Sequence, residues 1–85
     1  MTIPIRAYPP DSLEAKVYRA VEDIPTEEPN DRLRLGYNIY LFATRQYPTL
    51  RESIHVAQAR LLIPTEEAYQ RIAERLRQQG IPVVE

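Results

Sequence analysis

Apolar residues recur along this chain at two different spacings. Leu13, Val17, Ala20, Val21 and Ile24 lie three or four positions apart, the period of one helical face. Asp11, with Glu14 three positions later, marks a helix start, and Pro25 marks its end. A helix is therefore expected over 12–24. The same period returns in Tyr69, Ile72, Ala73 and Leu76. Ahead of them Thr65 offers a capping hydroxyl, and Glu66 and Glu67 sit where a helix dipole favours negative charge. Glu67 and Arg71 form an i,i+4 pair, Arg75 and Arg77 occupy the last turns, and Gly80 supplies a left-handed stop. This predicts a helix over 65–79.

Between these segments the spacing changes. Leu33, Leu35, Tyr37, Ile39, Leu41 and Ala43 alternate without a break, as in a half-buried strand. The opposite face carries Arg32, Arg34, Asn38, Tyr40, Phe42 and Thr44. A helix competes, with Leu33, Tyr37, Tyr40, Leu41 and Thr44 on one side, but Gly36 and the aromatic content favour a strand. Gln46-Tyr47-Pro48-Thr49 then reads as a turn, with 54–63 returning as the antiparallel partner. Ile81 to Val84 reads as a further short strand, placed at an edge by Pro82 and parallel to 59–63 through a right-handed crossover. A competing reading makes 50–63 helical, because Thr49 and Glu52 stand at capping-box spacing and Leu50, Ile54, Ala57 and Leu61 form a stripe. The chain would then be a nearly all-helical interaction module, with the tail after Gly80 unpaired. The expectation is accordingly an α+β fold in a single small domain, 1–85. It has an antiparallel strand pair (32–44 and 54–63), helix 65–79, parallel strand 81–84, and helix 12–24 packed on the sheet. An extended segment (1–11, including Ile3-Pro4-Ile5) precedes it, and 25–31 forms an acidic loop.

The run Ile63-Pro64, Tyr69-Gln70-Arg71-Ile72 and Gly80-Ile81-Pro82-Val83-Val84 loosely resembles the small linker domain of cyanobacterial phycobilisomes. That likeness covers a minor part of the chain and a pattern common to strand–helix–strand units. It lacks the paired glycine and the basic character of those linkers, so no family is assigned from it.

Composition narrows the chemistry. A chain of 85 residues supports one core and no cleft between two lobes. With 44% hydrophobic and 27% charged residues it reads as an ordered globular domain. The absence of cysteine excludes disulfides, thiol catalysis and thiolate zinc sites. A net charge of -1 gives no overall attraction to nucleic acid or to an anionic membrane. The charge is unevenly placed. Seven acids (Asp11, Glu14, Glu22, Asp23, Glu27, Glu28, Asp31) stand against three bases in residues 1–31, whereas eight arginines outnumber five acids in 32–85. Either the acidic segment 22–31 folds back over basic surface, masking it, or it is a solvated connector. No signal-peptide pattern is present. The longest apolar run, Ile39 to Ala43, falls far short of the roughly 20 residues that span a bilayer. A cytoplasmic location without membrane association is expected.

Candidates for catalysis are few. His55 is the single histidine and has no second imidazole or thiolate to complete a metal site. The acids of 22–31 match no calcium loop. Ser12 and Ser53 lack a nucleophile elbow, and Gly36 and Gly80 stand too far apart to build a phosphate loop. The expectation is no enzymatic activity, no cofactor and no metal. The remaining constellation is the outward face of the 32–44 strand. Tyr40 and Phe42 beside Arg32 and Arg34 would suit stacking on single-stranded nucleic acid, unless the rings pack under helix 12–24. Six tyrosines in so small a chain favour instead an accessory or regulatory protein that binds another protein, or itself. The expected contact residues are Arg32, Arg34, Tyr40, Phe42 and Tyr47, with single-stranded nucleic-acid binding as the alternative.

Overall fold

In the computed structural model, which describes residues 8–84, four helices follow one another: α1 (Leu13–Val21), α2 (Pro29–Ala43), α3 (Leu50–Ala57) and α4 (Thr65–Gln78). The expected α+β fold is not formed. Among the described residues the only β pairing is one isolated antiparallel bridge, Thr26 to Leu61. The expected extended stretch Ile3-Pro4-Ile5 lies outside the described residues.

The segment 32–44 lies within α2 and its C-terminal cap, and is not a strand. Its alternation is real but has a second meaning. A run with every second residue apolar also contains two i,i+4 rows, Leu33/Tyr37/Leu41 and Leu35/Ile39/Ala43, about 200° apart around a helix. The core takes Leu35 and Ile39 from one row, together with Phe42, while Tyr37 of the other row is exposed. The helix packs against both α1 and α3, and Leu33, Tyr37 and Leu41 stay outside the core cluster. Gly36 serves close packing here, not a strand. A Cβ at this position would lie 2.5 Å from Cε1 of the Tyr18 ring. Pro29 opens the helix at a position where its missing N–H is no loss.

The expected antiparallel partner, 54–63, divides into the end of α3 and an irregular connector. Here the helical reading holds. Thr49 caps α3, its Oγ1 accepting from the Glu52 amide at 3.1 Å, and Leu50, Ile54 and Ala57 face the core. Leu61 falls beyond the helix end, which Gln58 closes in the left-handed region. The buried Ser53 hydroxyl donates to the Leu50 carbonyl at 2.7 Å.

The two outer helices follow their sequence signals with local shifts. Ser12 rather than Asp11 caps α1, accepting from the Ala15 amide at 3.2 Å. Thr65 is the first helical residue of α4; Pro64 takes the cap position and no side chain caps the turn. The far end is a Schellman motif. Gly80 has φ +82°, its amide donates to the Arg77 carbonyl, and the buried Ile81 donates to the Leu76 carbonyl. The expected strand 81–84 is absent because this tail docks by a single backbone bond, Leu50 N–H to the Val84 carbonyl at 3.0 Å.

The helices enclose one core. α1 packs on α2 and α4, and α3 packs on α2 and α4. Val17, Val21, Ile24, Leu35, Ile39, Leu50, Ile72 and Leu76 are fully buried within it.

Candidate functional site

The five residues expected to share a binding face are dispersed. Arg32 is half-buried and spans the α1–α2 corner, its Nε and Nη2 donating to the Ile24 carbonyl at 3.2 and 3.0 Å. Arg34 points elsewhere and pairs with Asp31. Tyr40 packs on the rim of the core, whereas Phe42 lies inside it at 5% exposure. Tyr47, between α2 and α3, donates its hydroxyl to Asn38 Oδ1 at 3.2 Å. Residues two apart share a strand face but are about 200° apart on a helix. The arginine–aromatic platform for single-stranded nucleic acid rested on that strand face, which α2 does not present.

A different constellation lies along the α3–α4 seam. The Arg51 guanidinium sits 4.1 Å from the centroid of the Tyr69 ring. Its two terminal nitrogens donate to both carboxylate oxygens of Glu66 at 2.8 and 2.7 Å. That bidentate bond, reinforced by the guanidinium charge, holds the Glu66 carboxyl below the usual glutamate range despite slight desolvation. Beside this pair is a groove of about 380 Å³, with Ile54, Leu61 and Tyr69 as its large apolar walls and Arg51 and His55 as its basic groups. Among the described residues no carboxylate lines it. The residues next in sequence to His55 and Leu61 are exposed hydrophobics, Val56 at 44% and Leu62 at 63%. Arg51 and Tyr69 become a pair only once 50–57 is helical. The sequence signal was the helical stripe after Thr49, which the strand reading set aside.

The acidic segment meets arginines. Arg60 lies 3.7 Å from Glu27, 3.2 Å from Glu28 and 3.6 Å from Asp31, and Arg75 pairs with Asp23. Asp31 is only 1% exposed; its Oδ1 accepts from Arg34, while Oδ2 faces Arg60 Nε without a hydrogen bond. On the α1–α2 side, Tyr8 and Tyr18 stack with ring centroids 6.4 Å apart. Burial pushes the Tyr18 phenol up from its ordinary value, with Tyr8 and Tyr37 adding to the shift.

The two serines are engaged with backbone, Ser12 Oγ donating to the Pro9 carbonyl at 2.7 Å and Ser53 as above. Among the described residues no three His, Cys, Asp or Glu side chains cluster to hold a metal, and no helix is long and apolar enough to cross a membrane. Comparison with known proteins finds no family model, curated protein or solved structure that matches the chain.

Proposed function

We propose that this is a non-enzymatic accessory or regulatory protein that works by binding another protein, with the α3–α4 seam and its connector as the contact surface. The observation that carries this reading is Leu62, a leucine 63% exposed in a connector whose neighbour Leu61 lines an apolar groove. Single exposed hydrophobics are common, but this one stands in a connector that also borders a groove, so the connector carries apolar surface on two faces. Arg51, half exposed beside the groove, adds a residue type that dominates interface energetics.

The test uses the full chain and a Leu62→Glu, Val56→Glu double variant, both with the same helical circular dichroism and thermal transition. Each is immobilised and exposed to native extract. A protein retained by the parent and lost from the double variant is the expected result. Equal retention by both, or by neither, rejects the reading. Sedimentation of the pure protein separates a second copy of the chain from a foreign partner.

A further inference from the structure

The bridge between residues 25–27 and 60–62 has two edges of opposite character. Its hydrogen bonds flank the Thr26–Leu61 pair, Leu62 N–H to the Pro25 carbonyl and Glu27 N–H to the Arg60 carbonyl, both 2.9 Å. In such a pair the N–H and C=O of the two facing residues point away from each other. Thr26 therefore presents one edge and Leu61 the other. The Thr26 edge is followed directly by Glu27 and Glu28, charges of the kind that discourage further pairing. The Leu61 strand carries one neighbouring charge, Arg60, which is turned to Glu27, Glu28 and Asp31, and its free edge belongs to the residue that lines the α3–α4 groove. Among the described residues, nothing hydrogen-bonds to the backbone N–H or C=O of Leu61, nor to those of Ala59, which also lines the groove.

We infer that this edge accepts an extended segment of a partner protein, which adds a short strand beside residues 59–61. The inference rests on the protein-binding reading and specifies its mode. Strand addition draws affinity from main-chain hydrogen bonds and specificity from alternate side chains that enter a neighbouring pocket. A helical partner satisfies its own backbone and leaves the Leu61 groups unpaired. The groove selects the side chains. Ile54, Leu61 and Tyr69 receive an apolar residue, and Arg51 and His55, with no carboxylate lining the groove among the described residues, receive an acidic one. Glu66 already meets Arg51 in a bidentate pair, but both side chains are more than half exposed, so an incoming carboxylate can reach the guanidinium and compete for it. The occupant is thus an acidic, apolar peptide in extended form.

The experiment selects short random linear peptides displayed on phage against the full chain. The most enriched sequence is then synthesised in native form and in two forms N-methylated at alternate amides. Enriched sequences are expected to combine acidic and large apolar residues. Native peptide should slow amide exchange at Leu61, and one methylation register should weaken binding about tenfold, the equivalent of one lost hydrogen bond, while the other changes it little. Arg51→Glu should weaken binding by a similar factor. Failure to enrich any peptide, enrichment of basic sequences, unchanged exchange at Leu61, or indifference to both methylation registers overturns the inference. The protein-binding reading stands or falls separately, on the loss of a natural partner from the Leu62→Glu, Val56→Glu variant.

Discussion

The α1–α2 seam and the α3–α4 seam are built on opposite principles. In the first, Gly36 removes a side chain so that the Tyr18 ring lies directly against the α2 backbone. Arg32 ties the corner to the Ile24 carbonyl, and Val17, Val21, Leu35 and Ile39 are fully buried beneath. In the second, Leu50 and Ile72 are fully buried, but the outer contact is made by a long side chain, Arg51 reaching over Tyr69 to Glu66. A small residue lets two helices close on each other, whereas long polar side chains bridge them and leave space between. Stability should therefore concentrate in the first seam, whose outer side still carries a groove of about 450 Å³ between Tyr8, Tyr18 and Leu33.

The largest test of that contrast is truncation of equivalent apolar residues. Ile39→Ala should destabilise by about 3–5 kcal/mol, since its site is fully enclosed, and Ile54→Ala by nearer 2, because its cavity opens to the groove. Urea denaturation measures both. Equal losses would mean that the α3–α4 seam is as tightly packed as its counterpart.

A smaller effect sharpens the role of Gly36. In Gly36→Ala the new methyl meets the Tyr18 ring, an overpacking of about 1–3 kcal/mol, partly offset by about 1 kcal/mol of improved helix propensity. The net change should be a loss of stability. In a Tyr18→Ala background the obstruction is gone, and Gly36→Ala should become neutral or stabilising by up to about 1 kcal/mol. A double-mutant cycle with no coupling between the positions would show that the ring does not hold the seam.

The same residues explain what the sequence disclosed. α4 was legible because Tyr69, Ile72, Ala73 and Leu76 form one stripe, and Gly80 ends it by a backbone geometry that few other residues adopt. α2 was not, because the row it buries, Leu35 and Ile39, runs two positions away from a second apolar row, Leu33, Tyr37 and Leu41, that stays outside the core, and together the two rows look like a strand. Gly36 compounded the error, since a glycine for close approach and a glycine within a strand are the same letter. The site followed the fold. Tyr40 and Phe42 lost their common face once α2 was helical, and Arg51 and Tyr69 gained theirs once α3 was. Segment 22–31 was readable as acidic, but the convergence of Glu27, Glu28 and Asp31 on Arg60 depends on a connector that only tertiary structure brings near.

The smallest effects should separate the seams by pH. Tyr18, in the closed seam, has a phenol raised above its ordinary value of 10.0 by burial first and by its tyrosine neighbours second. A raised folded value means that its contribution is fully present below the ordinary tyrosine range and is lost as pH rises through the raised value. Glu66, in the open seam, has a carboxyl lowered chiefly by the Arg51 hydrogen bond. Its contribution is present above the ordinary glutamate range and is lost as pH falls through the lowered value. Tyr18→Phe should therefore flatten the alkaline limb of a stability–pH profile and leave the acid limb alone, while Arg51→Gln should do the reverse. Carboxyl NMR should show Glu66 returning to the usual glutamate range in Arg51→Gln. An unchanged titration there would mean that the guanidinium is not held on Glu66 in solution.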